Sequence, residues 1–198
     1  VNPLSNRLDE GSVPSSSPQI SMPGYQKSRW GMSVGEVKLL YPSARGVGDE
    51  LELESTVADM PAILHFSFVE GRLARVVVDF TPRFDFNRMP AAPSLLLAIF
   101  DRLDSLLTQK YGHASADRST GLPSPARASS EEKEAAVARG ELWLSHDWEF
   151  RESTVNLTFA GSPAVYGMFV TYVSNELGPQ LESREREEAR READNKGL

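Results

Sequence analysis

The 198 residues contain no cysteine. That absence excludes a disulfide framework, zinc–thiolate and iron–sulfur sites, and a cysteine nucleophile. It leaves the compartment open, because cysteine-free proteins occur on both sides of a membrane. No run of about 18 apolar residues occurs, so no membrane-spanning helix is expected. Positive charge is in deficit: Lys plus Arg total 21 against 28 Asp plus Glu, a net charge of −7. With no dense Lys/Arg stripe to displace phosphate counterions, a nucleic-acid partner is not expected. No basic stretch followed by an apolar core opens the chain, so no signal peptide is expected in this numbering. What is present is ordinary: 40% hydrophobic, 25% charged and 9% aromatic residues, enough for one domain or two small ones.

The two ends differ from the middle. Residues 1–28 are rich in Ser, Pro and Gly, including Ser15-Ser16-Ser17-Pro18. Their small apolar content does not offset ordering entropy, so a disordered leader is expected. A tether behind a removed signal or lipid anchor has this composition, and so does a tail of no consequence. Residues 177–198 alternate in charge, with Glu182 and Arg186, and Glu187 and Arg191, four apart in the favourable order. Almost no apolar stripe runs along them, which predicts a solvated helical tail; a partner-binding arm is the sharper reading.

Between them, residues 29–176 read as a single α+β domain. Ser33 and Glu36 have capping-box spacing before Val37, Leu40 and Tyr41, and Pro42 stops that short helix. Leu51, Leu53 and Val57 alternate with polar residues, and Ile63 to Val69 and Leu73 to Phe80 are stronger strands. A three-residue turn at Val69-Glu70-Gly71 sets Leu64, Phe66 and Phe68 on one face with Ala74, Val76, Val78 and Phe80, and keeps Arg75 away from the phenylalanines. Ser94 is read as the cap of a second helix, with Leu96, Ile99, Phe100, Leu103, Leu106 and Leu107 at helical spacing and Gly112 ending it. The composition then shifts, and 113–140 reads as a flexible insertion holding one short helix opened by Ser129 and Glu132. Strands resume at Glu141 to Phe150, Thr154 to Phe159 and Val165 to Ser174. The expected fold is a two-layer α+β arrangement, an antiparallel sheet of about five to six strands with two main helices on one face. Its helix-plus-strands halves read as a duplicated unit, without a residue-level repeat.

Trp30-Gly31-Met32-Ser33 with Glu36-Val37 and Leu40 resembles the opening helix of BamE/SmpA-like small envelope domains. These share a helix-plus-antiparallel-sheet arrangement with the β-lactamase inhibitor protein repeat. Phe66-Ser67-Phe68-Val69-Glu70-Gly71-Arg72-Leu73 is similar to their hairpin, Lys110-Tyr111-Gly112 to a helix end in related bacterial lipoproteins, and Trp148 with Thr154 to Leu157 to their later strand pair. The likeness spans roughly residues 30 to 174 through short motifs; no lipobox cysteine is visible and the insertion departs from the compact pattern. The resemblance implies a non-enzymatic protein-binding or scaffold module of the bacterial envelope, periplasmic or outer-membrane-associated, with no catalytic residue to carry over.

Few residues carry chemistry. His65 lies on the strand face opposite Leu64 and Phe66, and His113 follows a helix C-terminus, where the dipole favours its charge. His146, beside Asp147 and near Glu149, heads the best catalytic-looking cluster, yet His146 and Asp147 point to opposite faces of a strand. His146 shares a face with Trp148, which favours a binding spot. Trp143 and Trp148 are five apart, so one indole packs inward while the other is either exposed for a partner or lies under the insertion. The candidate partner-binding residues are therefore Trp143, His146 and Trp148. Asp101 and Asp104 are expected to face solvent. No metal-ligand spacing, phosphate cradle or nucleophile elbow appears, so no cofactor is expected. The protein is read as a monomer with a protein partner; alternatives are a small enzyme using His146 with Glu149 or Asp147, and a carrier of an apolar ligand between the second helix and the sheet.

Overall fold

Ser33 opens the first helix as its spacing to Glu36 requires: its hydroxyl accepts from the Glu36 N–H, and the Glu36 carboxylate accepts from the Ser33 N–H at 2.8 Å. In the computed structural model, which describes residues 21–81, 92–162 and 165–196, this helix is α1 (Val34–Leu40). Three strands follow, β1 (Glu50–Val57), β2 (Met60–Val69) and β3 (Arg72–Asp79). Then come α2 (Pro93–Tyr111), β4 (Ala116–Asp117), a 3-10 turn at Pro125–Arg127, α3 (Ser130–Arg139), β5 (Leu144–Glu149), β6 (Ser153–Ser162), β7 (Val165–Ser174) and α4 (Gly178–Lys196). All strand pairs are antiparallel, in the order β1-β2-β3-β7-β6-β5-β4. Two meanders, each contiguous in sequence, thus meet along β3 and β7.

The expected layout needs two corrections. The sheet has seven strands, not five to six, and the described residues form four α-helices rather than two main ones on a single face. The added strand β4 has no hydrophobic alternation to announce it. It is held by backbone bonds, with the Ser115 and Arg118 N–H groups donating to the carbonyls of Asp147 and Ser145 at 2.7 and 2.8 Å, and by flanking side chains: the Ser119 and Ser115 hydroxyls accept from the Ser145 and Glu149 N–H groups, and Arg118 pairs with Asp147. The added helix is the charged tail. α1, α2 and α3 bury Val37, Leu96, Phe100, Leu103 and Val137 with Phe66, Phe68, Phe159 and Met168 in the main core. α4 packs on the opposite side, where Leu177 and Leu181 close over Val69 and Ala74, and Glu185 accepts from Arg75. Two apolar side chains suffice to dock a helix whose remaining turns are solvated.

The β2–β3 hairpin reaches its facing by a different route from the one expected. Glu70 and Gly71, with φ of 51° and 72°, form a two-residue turn whose twist matches the strands. The extra residue sits one step inside β3: Phe68 pairs with Leu73 and Ser67 with Arg75, leaving Ala74 as a bulge. Arg75 is therefore kept on the Ser67 face, and Val76, Val78 and Phe80 line the core as anticipated, while Ala74 turns to α4. Ser94 is the second residue of α2 rather than its cap; Ala92 occupies the cap position without a side-chain bond.

The packed chain reaches further toward the N-terminus than expected. Met22 and Tyr25 are buried in the main core, and the Tyr25 ring lies 4.8 Å from that of Tyr172. Ser153 donates to the Met22 carbonyl and accepts from Trp30 Nε1 at 2.8 Å, tying this strap to β6. Residues 1–20 of the expected leader lie outside the described residues. Within 113–140, the capping box of Ser129 and Glu132 forms, and Ala136 and Val137 are buried. Among the described residues no helix is long and apolar enough to cross a membrane.

Candidate functional site

Strand β5 carries the candidate residues, and its alternation sorts them. Leu144, His146 and Trp148 face the helices, while Ser145, Asp147 and Glu149 face the other way. His146 is thus separated by the sheet from both carboxylates with which it was paired as an alternative, Asp147 and Glu149. Its partners come from elsewhere. His146 Nδ1 lies 2.6 Å from Oδ1 of Asp104 on α2, and Nε2 lies 3.8 Å from Oδ1 of Asp117 on β4. The Phe100 ring meets the imidazole edge-on at 5.3 Å, and the Trp148 ring at 6.4 Å.

The hydrogen bond to Asp104 is the main cause that raises the His146 pKa above its ordinary 6.5; burial opposes it, and the charges of Asp104, Asp117 and Asp101 add to it. For Asp117, burial pushes the carboxyl upward, but bonds from the Ser119 hydroxyl and N–H and the charges of His146 and Lys133 outweigh it and leave the pKa lowered. The bond to Asp104 at one ring nitrogen and the Asp117 carboxylate 3.8 Å from the other both favour the charged form of His146 over a free proton acceptor.

On the other face Asp147 is buried and is served by neighbours. Arg118 Nε approaches at 2.7 Å, and the Asn156 amide donates at 2.5 Å to Asp147 and at 2.8 Å to the Ser145 hydroxyl. Thr158 donates to the Asn156 oxygen. These bonds commit the polar side chains to one another. Trp148 is a core residue, 1% exposed, whose Nε1 donates to the Gly112 carbonyl at 2.9 Å. Trp143 is 40% exposed and exchanges both backbone bonds with Thr120. Of the three residues read as a partner surface, only Trp143 presents substantial area, and the three do not form one patch. Between α2 and the sheet, Leu96, Phe100 and Leu103 belong to one buried cluster with Leu64 and Leu157, filling the space reserved for an apolar ligand.

Sequence reading placed Asp104 in solvent and missed Asp117. Asp104 lies at the edge of the α2 apolar stripe, and only the closure of α2 over β5 brings it to His146. A second histidine set between two carboxylates occupies the opposite sheet face. His65 Nδ1 lies 3.3 Å from Glu52 and Nε2 3.8 Å from Asp79, and the bond to Asp79 is the main cause raising its pKa, against burial. His113 is exposed beyond the end of α2.

Both raised histidines have the same linkage sign. Their stabilisation is complete below the unfolded value of about 6.5 and is lost as pH rises through the higher folded values. The lowered carboxylates Asp79 and Asp117 act at the other end, losing their contribution as pH falls through their folded values. Urea midpoints are therefore expected to fall between about pH 6.5 and pH 9, and the double variant His65→Gln/His146→Gln should flatten that slope. A wild-type midpoint that rises over this interval would show that the histidines are not held charged.

Around these groups lie two unlike surfaces. The helix side has a cleft of about 470 Å³ bounded by α2, α3, β4 and β5. On the opposite sheet face α4 covers β2 and β3 near Val69 and Ala74, and its first residue, Gly178, lies against Val173 of β7. Beyond α4, half-buried Ile63, Val77 and Phe169 alternate with His65, Asp79 and Thr171 across β2, β3 and β7, with Glu50, Glu52 and Glu54 in a row along edge strand β1. Comparison with family models, with characterised proteins and with solved structures found no match to this chain.

Proposed function

We propose that the protein is a non-enzymatic protein-binding module that docks a basic, partly apolar polypeptide segment on the open part of its sheet. One observation carries this reading: half-buried Ile63, Val77 and Phe169 on β2, β3 and β7 lie diagonally to one another beside an acidic edge on β1, on the part of the face that α4 leaves bare. These side chains offer area to desolvate, and Glu54, with Glu52 beside His65, selects cationic neighbours. The net charge of −7 adds attraction for such a segment at long range. The double engagement of His146 by carboxylates supports binding over acid–base catalysis at β5. Placement in the bacterial envelope, at the periplasmic or outer-membrane surface, rests on the resemblance of the α1 and β2–β3 motifs to BamE/SmpA-like domains.

The test is comparative capture from cell fractions with wild type, Phe169→Asp, Glu52→Lys/Glu54→Lys and His146→Gln. A bound protein is expected whose recovery falls about tenfold or more with either sheet-face variant and persists with His146→Gln, with its contact segment rich in Lys or Arg. Recovery insensitive to both sheet-face variants would overturn the assignment of this surface.

A further inference from the structure

The cleft on the helix side presents opposite charges on facing walls that do not pair with each other. One wall holds Asp101 of α2 and Asp117 of β4 beside His146. The other holds Lys133 and Ser130 of α3, with Glu134 next along the helix. Lys133 is half-buried, yet among the described residues its ammonium forms no ion pair, and neither does Asp101. The Asp117 carboxyl feels the Lys133 charge without contacting it. Leu97, Phe100 and Leu144 line the space between. Lys133 is partly withdrawn from water while Asp101 and Asp117 remain exposed; the two signs gain little from one another across an open gap, whereas a molecule bearing both satisfies both walls at once. The cavity of about 470 Å³ accommodates a free amino acid with a bulky side chain and several waters, each taking about 30 Å³.

We propose that this cleft binds a small zwitterion of the amino-acid class. Its ammonium sits against Asp101 and Asp117, its carboxylate against Lys133 and the Ser130 hydroxyl, and its side chain over Leu97 and Phe100. Three carboxylates against one ammonium in the lining favour ligands without a second negative charge; His146 is committed to Asp104 and Asp117 and serves to hold Asp117 in place.

The full chain is titrated with each of the common L-amino acids, read first as a thermal shift at about 10 mM and then by calorimetry. At least one uncharged-side-chain amino acid is expected to bind. Removing its carboxylate (3-methylbutylamine in place of leucine, for example) or its amine (4-methylpentanoate) should each weaken binding about tenfold or more. Lys133→Met and Asp101→Asn should weaken it by a similar factor with only a small change in the ligand-free melting temperature, since neither side chain forms an ion pair and each acts on Asp117 or His146 through its charge alone. No shift with any amino acid would overturn the proposal. So would a bound amino acid indifferent to both substitutions, or an amine that binds as tightly as its parent.

Discussion

Replacing Trp148 by Ala is expected to cost about 3–5 kcal/mol of stability, the range for deleting a large buried aromatic. Trp148 is 1% exposed in the main core, and its Nε1 is the partner of the Gly112 carbonyl at the C-terminal end of α2. Truncation opens a cavity and also leaves that carbonyl unsatisfied where the helix has run out of its own donors. Trp148→Phe should recover most of the packing but not the hydrogen bond, falling about 1–3 kcal/mol short of wild type. Urea unfolding followed by circular dichroism measures both. A loss below about 1 kcal/mol for Trp148→Ala would mean that the indole does not join α2 to β5.

Gly121→Ala should be a strongly damaging small change. Gly121 has φ of +97°, and an added Cβ would stand 2.0 Å from the Glu141 carbonyl oxygen and 2.7 Å from its carbon. The obstacle is backbone, at the entry to buried Leu142 and strand β5, and it has no rotamer by which to withdraw. Strain in φ together with separation of the two segments is expected to cost about 2–4 kcal/mol. Gly48→Ala is the control. Its φ of +70° is also left-handed, but an added Cβ meets nothing within 4 Å, so about 1–2 kcal/mol is expected. Equal losses at the two positions would show that close approach at Gly121 contributes nothing beyond φ.

Legibility in the sequence followed the range of the interaction responsible. The capping boxes at Ser33 and Ser129 are local, involve groups three residues apart, and form as the spacing implied. Alternation in β2, β6 and β7 reports burial directly, and the core facing of Phe66, Val76, Val78 and Met168 follows it. Position of the β2–β3 bulge did not, because a bulge in the turn and one at Ala74 give the same facing to every later residue of β3. Strand β4 and the docking of α4 were invisible for another reason. One is specified by backbone bonds and by polar side chains that meet β5 only in the fold, and the other by two leucines against a bulge, too few to make a period. The site was legible in half: the separation of His146 from Asp147 is a property of any strand, whereas Asp104 and Asp117 reach His146 only through tertiary closure.

The seam between β3 and β7 sets a distinctive folding problem. Each meander is built from hairpins whose strands follow directly in the chain, so their pairing closes short loops and is entropically inexpensive. The Val76–Tyr172 and Val78–Val170 pairs instead join residues 96 and 92 positions apart in the chain, and nothing local prefigures them. Contact order is thereby concentrated in one ladder, which places the slow step of folding at the union of two preassembled halves. Until that union β3 and β7 are both naked edges of Val-rich strand, and each is complementary to the other half of any neighbouring copy. Exchange of halves between chains during synthesis or refolding is therefore the misfolding route this topology makes cheapest.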